Sequence, residues 1–108
     1  MTIGNKIIRT GIVGGTGYTG GELLRLLVSH PFVELTMITS RTEVGKKVED
    51  YWPNLRNQCN LNFVDVDPAA LVSSCDLVFF ATPHGVSMQI IPVLLEKGVK
   101  VIDLSADF

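Results

Sequence analysis

Residues 14–21, Gly14-Gly15-Thr16-Gly17-Tyr18-Thr19-Gly20-Gly21, gather five glycines and two threonines into eight positions. They contain the spacing Gly15-x-Gly17-x-x-Gly20 and, overlapping it, Gly14-x-x-Gly17-x-x-Gly20. Such a segment offers backbone amides with no side chains in front of them. One glycine permits a tight turn, a second lets the backbone approach a pyrophosphate, and a third lets helix and strand pack closely. Free N–H groups at the start of the next helix, and its dipole, then hold phosphate oxygens. Thr16 and Thr19 add hydroxyl donors. The competing reading is a tight turn that packs well and binds nothing. A strand-like run before it and a helical pattern after it favour the dinucleotide.

A second group follows the next strand-like run. An NAD site usually carries an acid about 20 residues beyond the glycines, on the ribose 2′-hydroxyl. Here the run ends Met37-Ile38-Thr39-Ser40-Arg41, with no carboxylate and with Lys46 and Lys47 close behind. A hydroxyl and a planar guanidinium suit the 2′-phosphate of NADP. A solvated basic loop is the alternative. Two later segments also sit where ligands meet a parallel sheet, beyond strand ends: Ala81-Thr82-Pro83-His84-Gly85 and Ser105-Ala106-Asp107-Phe108. His84 has a ring suited to acid–base work near neutrality. A capping or packing role fits it better, and it stays a candidate for cofactor contact. Asp103 and Asp107 are not fixed as an acid–base pair. Cys59, Cys75, His30 and His84 lack zinc-type spacing, so no metal is expected. Cys75 reads as an apolar filler, Cys59 has no neighbour to activate a thiolate, and Trp52 reads as a packing anchor.

These groups need elements to hold them. Ile7–Val13 reads as a strand, Glu22–Val28 as a helix stopped by His30-Pro31, and Val33–Thr39 as a strand. Val44, Val48 and Tyr51 allow a short helix before Pro53. Leu61–Val66 is expected as a third strand. Asp67-Pro68 opens a helix that ends near Ser74. Asp76–Ala81 is an apolar, doubly buried strand. A helix runs from Gly85 or Val86 to Lys97, with Pro92 a potential kink and Gly98 its cap. Val99–Leu104 is the last strand. The alternation implies an α/β fold, a Rossmann-like doubly wound parallel sheet of about five strands.

The chain has 108 residues, 46% hydrophobic and 19% charged, with net charge −2. That is too apolar for disorder and gives no clustered positive field for nucleic acid. No apolar run reaches the ~18 residues of a membrane span, and two cysteines make no disulfide scaffold. A cytoplasmic protein is expected. The length suits one domain, residues 1–108, and the stop just after a strand-like run reads as a cut before a second, catalytic and dimerisation domain.

Gly14–Gly20 with Glu22-Leu23, the Ser40-Arg41 pair, Phe80–Met88 and Asp103–Phe108 together resemble the N-acetyl-gamma-glutamyl-phosphate reductases. The resemblance covers the whole chain. It implies an NADPH-dependent enzyme of arginine biosynthesis that reduces an acyl phosphate to an aldehyde and releases phosphate. In that family a cysteine thiolate forms a thioester and a histidine is the acid–base, both later in the chain than any residue here. The resemblance implies that Gly14, Thr16, Gly17, Tyr18, Thr19 and Gly20 form the pyrophosphate loop. It assigns Ser40 and Arg41 to the 2′-phosphate, Thr82, Pro83, His84 and Gly85 to the nicotinamide half, and Ser105 to the substrate phosphate. It implies a small acyl-phosphate substrate and, for the full-length protein, a homo-oligomer. The alternatives are an aspartate-semialdehyde type of relative and a non-catalytic NADP-sensing Rossmann protein.

Overall fold

The hydrophobic segment Ile8–Val13 becomes β1, and it is central because both of its edges are taken. On one side lies β2 (Val33–Thr39), on the other β3 (Leu77–Phe80), with β4 (Lys100–Asp103) outside β3. All pairs are parallel and the order is β2-β1-β3-β4. The computed structural model describes residues 6–82 and 84–104; for His84, Gly85 and Val86 it describes the backbone alone.

Alternation along β1 divides the core in two, since successive side chains leave a strand on opposite faces. Ile12 faces α1 (Tyr18–Leu27) and α2 (Val48–Tyr51), packing with Leu24, Ile38, Val48 and Phe63. Val13 faces α3 (Pro68–Ser74) and α4 (His84–Glu96), packing with Leu71, Val78, Phe80, Ile90 and Leu94. Gly11 is needed on that side, because a β-carbon there would stand 2.7 Å from Cys75 Sγ. Asp67 caps α3 by accepting the Ala69 N–H at 3.1 Å, with Pro68 in the first turn. α4 runs unbroken through Pro92, which sits on its exposed side.

One expectation is corrected. Among the described residues the sheet has four strands, because Leu61–Val66 is not a strand. Its residues make two isolated bridges to different partners, Asn62 antiparallel to Lys47 and Val64 parallel to Thr39. Pulled between those two directions, the segment cannot extend either ladder. α1 also begins at Tyr18, four residues before the periodic apolar pattern starts at Glu22.

The chain leaves β1 for β2 on one side and returns to β3 on the other. The reversal of strand order opens a crevice above the carboxyl ends of β1 and β3, the usual ligand position in such sheets. At the opposite end, Asp76 ties three strands together. Its carboxylate accepts from the Arg9 backbone N–H at 3.0 Å and from Arg9 Nη2 at 3.0 Å, while its own N–H donates to Arg9 O at 2.7 Å and its carbonyl accepts from Lys100 N at 3.0 Å. The Arg9 guanidinium holds the Asp76 carboxyl below the usual carboxylate range.

A carboxylate with a lowered folded-state pKa stabilises the fold above its unfolded pKa and loses that contribution as pH falls through the folded value. Denaturant midpoints measured down from neutrality should therefore fall for the wild type below about pH 4. Arg9→Ala should be less stable than wild type at pH 6, and the gap should close on acidification. A gap that stays constant with pH would assign the loss to packing instead.

Candidate functional site at the carboxyl edge of the sheet

The glycine turn leaves β1 and enters α1 within four residues. Gly14 takes φ +95°, a conformation that favours glycine. A β-carbon there would also lie 2.6 Å from Thr82 Cγ2 and 2.9 Å from the Ala81 carbonyl. On Gly20 it would collide with the Gly14 carbonyl oxygen, so α1 abuts the turn through bare backbone. The turn is sewn to the end of β2. Gly14 N–H donates to Thr39 Oγ1 at 3.2 Å, and Gly15 N–H to Thr39 O at 2.8 Å. Two aromatic side chains fix it from the other side. Trp52 Nε1 donates to Gly15 O at 2.9 Å, and the Tyr51 hydroxyl to Thr16 O at 3.3 Å.

Gly17 differs from its neighbours. Its φ is −79°, and a β-carbon added to it would meet no atom within 4 Å. Neither backbone strain nor crowding within the protein calls for glycine there, so the space in front of it is open for a ligand. It caps α1, a helix with no side-chain cap and no acid in its first turn. Nothing in the helix's own cap or first turn answers the positive end of its dipole.

Beside the turn lies a cavity of about 640 Å³. Val13 and Gly14 line it at the end of β1, Thr39, Ser40 and Arg41 at the end of β2, and Thr82 beyond β3. Asp65, Val66 and Pro68 form one further wall, and Gln89 and Ile90 of α4 another. Ser40 is buried and its hydroxyl oxygen accepts the N–H groups of Thr42 and Glu43 at 3.2 and 3.1 Å, bending the loop so that Arg41 turns outward. It also lies 3.4 Å from Thr16 Oγ1, which links the loop to the glycine turn. Lys46 pairs with Glu43 at 2.9 Å; among the described residues Arg41 has no ion pair. Thr82 Oγ1 is buried without a hydrogen-bond partner among the described residues.

The fold thus brings Gly14, Thr16, Ser40, Arg41 and Thr82 to one place, with Gly17, Tyr18 and Thr19 exposed along the adjoining turn. Gly20 is buried beneath it as a packing contact. Pro83 and Ser105 lie outside the described residues, and the His84 and Gly85 backbones open α4. Sequence reasoning missed Thr39, Tyr51, Asp65, Val66, Pro68, Gln89 and Ile90, and read Trp52 as packing alone. An adjacent Tyr-Trp pair is a usable signal, since both polar tips normally find partners when buried. Asp65 arrives through the Val64 bridge to Thr39, which no local pattern announces.

Residues 9–108 match the family described as semialdehyde dehydrogenase, NAD binding domain. The chain belongs to that family. Among curated relatives it is 62% identical to an N-acetyl-gamma-glutamyl-phosphate reductase of Acidithiobacillus ferrooxidans over 94% of this chain and 29% of that protein. It is 59% identical to one of Nitrosococcus oceani, over 94% of this chain and 30% of that protein. The chain therefore spans under a third of the length of these relatives. Among solved structures, aspartate semialdehyde dehydrogenase with NADP from Candida albicans superposes with TM-score 0.76 at 23% identity, over 93% of this chain and 30% of that one. The likeness shows that this semialdehyde dehydrogenase domain shares its fold. Both cysteines of the domain are buried, and burial pushes each thiol's pKa up, so neither is poised as a thiolate.

The glycines separate by what their β-carbon would meet. Gly20→Ala must push α1 away from backbone, a cost of ~1–3 kcal/mol or more for overpacking. Gly17→Ala meets nothing and should stay within about 1 kcal/mol of wild type. Urea unfolding of the two variants measures the difference, and equal losses would contradict the packing described.

Proposed function

We propose that the chain is the NADP(H)-binding part of an N-acetyl-gamma-glutamyl-phosphate reductase, which reduces an acyl phosphate to N-acetylglutamate semialdehyde with release of phosphate, in arginine biosynthesis. The observation that carries this reading is the 62% identity to such a reductase over 94% of the chain. The aspartate semialdehyde dehydrogenases, at 23–24% identity, fit as relatives of the same fold.

The residues fit the cofactor. The uncrowded Gly17 and the uncapped α1 terminus suit a pyrophosphate, whose oxygens take the turn's N–H groups as donors. Arg41, exposed at the cavity wall, suits a 2′-phosphate through its planar fork. Ser40 acts by shaping the loop that presents Arg41, since its oxygen already accepts two backbone N–H groups. Thr82, with its unpaired buried hydroxyl, suits a polar group of the cofactor near the β1–β3 crevice. The bound dinucleotide supplies a hydride. The acyl group must be held by a nucleophile other than Cys59 or Cys75, which are packed into the two cores. His84 opens α4 next to Thr82 and is assigned to the cofactor side of the site, together with Pro83 and Gly85; Ser105 is assigned to the substrate phosphate.

Calorimetry tests the cofactor. NADPH should bind more tightly than NADH, and Arg41→Ala should remove about tenfold or more of the NADPH affinity while leaving NADH nearly unchanged. Equal affinity of the wild type for the two cofactors would overturn the NADP reading. The purified chain should also show no phosphate-dependent NADP reduction with N-acetylglutamate semialdehyde. Turnover would mean that a nucleophile lies within it.

A further inference from the structure

We infer that Tyr51 and Trp52 are positioning residues for the dinucleotide: they aim the glycine turn's amides by holding its carbonyls. A peptide unit is planar and trans, so its C=O and N–H point in opposite directions. The Gly15 carbonyl shares a plane with the Thr16 N–H, and the Thr16 carbonyl with the Gly17 N–H. Trp52 grips the first carbonyl at 2.9 Å and Tyr51 the second at 3.3 Å. Each grip therefore sets the direction of one N–H, away from the aromatic pair.

Those two amides are among the ones left over, together with those of the first turn of α1. Gly14 and Gly15 spend theirs on Thr39, whereas among the described residues Thr16 and Gly17 N–H find no protein acceptor. Without the aromatic pair, each of these peptide planes could rotate about its flanking bonds, most freely beside glycine. Holding them beforehand removes an ordering cost from binding.

The pair is itself braced. The rings of Tyr51 and Trp52 meet edge to face at 5.1 Å, and Tyr51 meets buried Phe63 in the same way at 5.7 Å. The Trp52 ring covers Gly21 so closely that a β-carbon there would lie 2.6 Å from it. Val48 N–H bonds Leu61 O at 3.0 Å and Phe63 N–H bonds Lys46 O at 2.9 Å, so the support reaches the core. Packing alone would be satisfied by two phenylalanines. The donors, and their aim at successive carbonyls, are what packing leaves unexplained.

The inference rests on the cofactor reading above, and the test separates the two. Trp52→Phe and Tyr51→Phe keep the rings and remove the donors. NMR titration of the chain would use NADPH and adenosine 2′-monophosphate, which has the 2′-phosphate but no pyrophosphate. Each single variant should weaken NADPH about fivefold, the worth of one hydrogen bond, and adenosine 2′-monophosphate less than twofold. The Thr16 and Gly17 amide resonances should shift in the free variants. Unchanged NADPH affinity in the double variant overturns the inference, as does equal weakening of both ligands, which a structural role alone would produce. Should Trp52→Phe fail to fold, Tyr51→Phe decides by the same two ligands. A wild type that binds no NADPH overturns the cofactor reading as well.

Discussion

The contact between Gly20 and the carbonyl of Gly14 governs the rest of the site. A helix normally keeps its neighbours at a side chain's distance. Here α1 has no β-carbon at the point of contact, so backbone rests on backbone. The amino terminus of α1 is thereby drawn against the end of β1, beside the crevice where the strand order reverses. A single added methyl group would lift the helix off the turn. The cradle would then lose its shape even with every hydrogen-bonding group still present.

Given that contact, the turn's polar groups divide cleanly. The amides of Gly14 and Gly15 complete the edge of β2 through Thr39, and the carbonyls of Gly15 and Thr16 go to Trp52 and Tyr51. What remains is a run of donors at a helix terminus with neither a capping side chain nor an acid in its first turn. Most helices cover this end with Ser, Asp or a glutamate that answers the dipole. Leaving it bare costs stability, and the bare end is the feature an anion can use.

Much of this was legible because it is local. The apolar run Asp76–Ala81 and the Asp67-Pro68 cap each express one element's own physics, and a strand and a helix form there. The glycine spacing marks a turn that α1 enters four residues earlier than its apolar pattern says. Ser40 and Arg41 were legible as a pair, yet the division between them was not. Burial of one and exposure of the other depends on the bend that the Ser40 hydroxyl makes with Thr42 and Glu43. Leu61–Val66 was misread for a related reason. Its composition suits a strand, but strands need a continuous partner, and it meets Lys47 and Thr39 in opposite senses. The roles of Tyr51 and Trp52 depend on a fold-back across more than thirty residues, for which no spacing rule exists.

That same broken strand decides how charge is arranged in the cavity. Because Val64 bridges to the end of β2, Asp65 reaches the wall that Arg41 also lines. The end of β2 carries no acid of its own, yet the cavity does hold a carboxylate. One of its oxygens accepts the Val66 N–H at 2.9 Å, which orients it. A phosphate entering this space is attracted toward Arg41 and repelled from Asp65, whereas a hydroxyl or an exocyclic amine can donate to that same carboxylate. The two side chains thus set a polarity across the wall. A ligand that carries both an anionic group and a hydrogen-bond donor can answer both side chains, whereas one that carries only anionic groups meets Asp65 unfavourably.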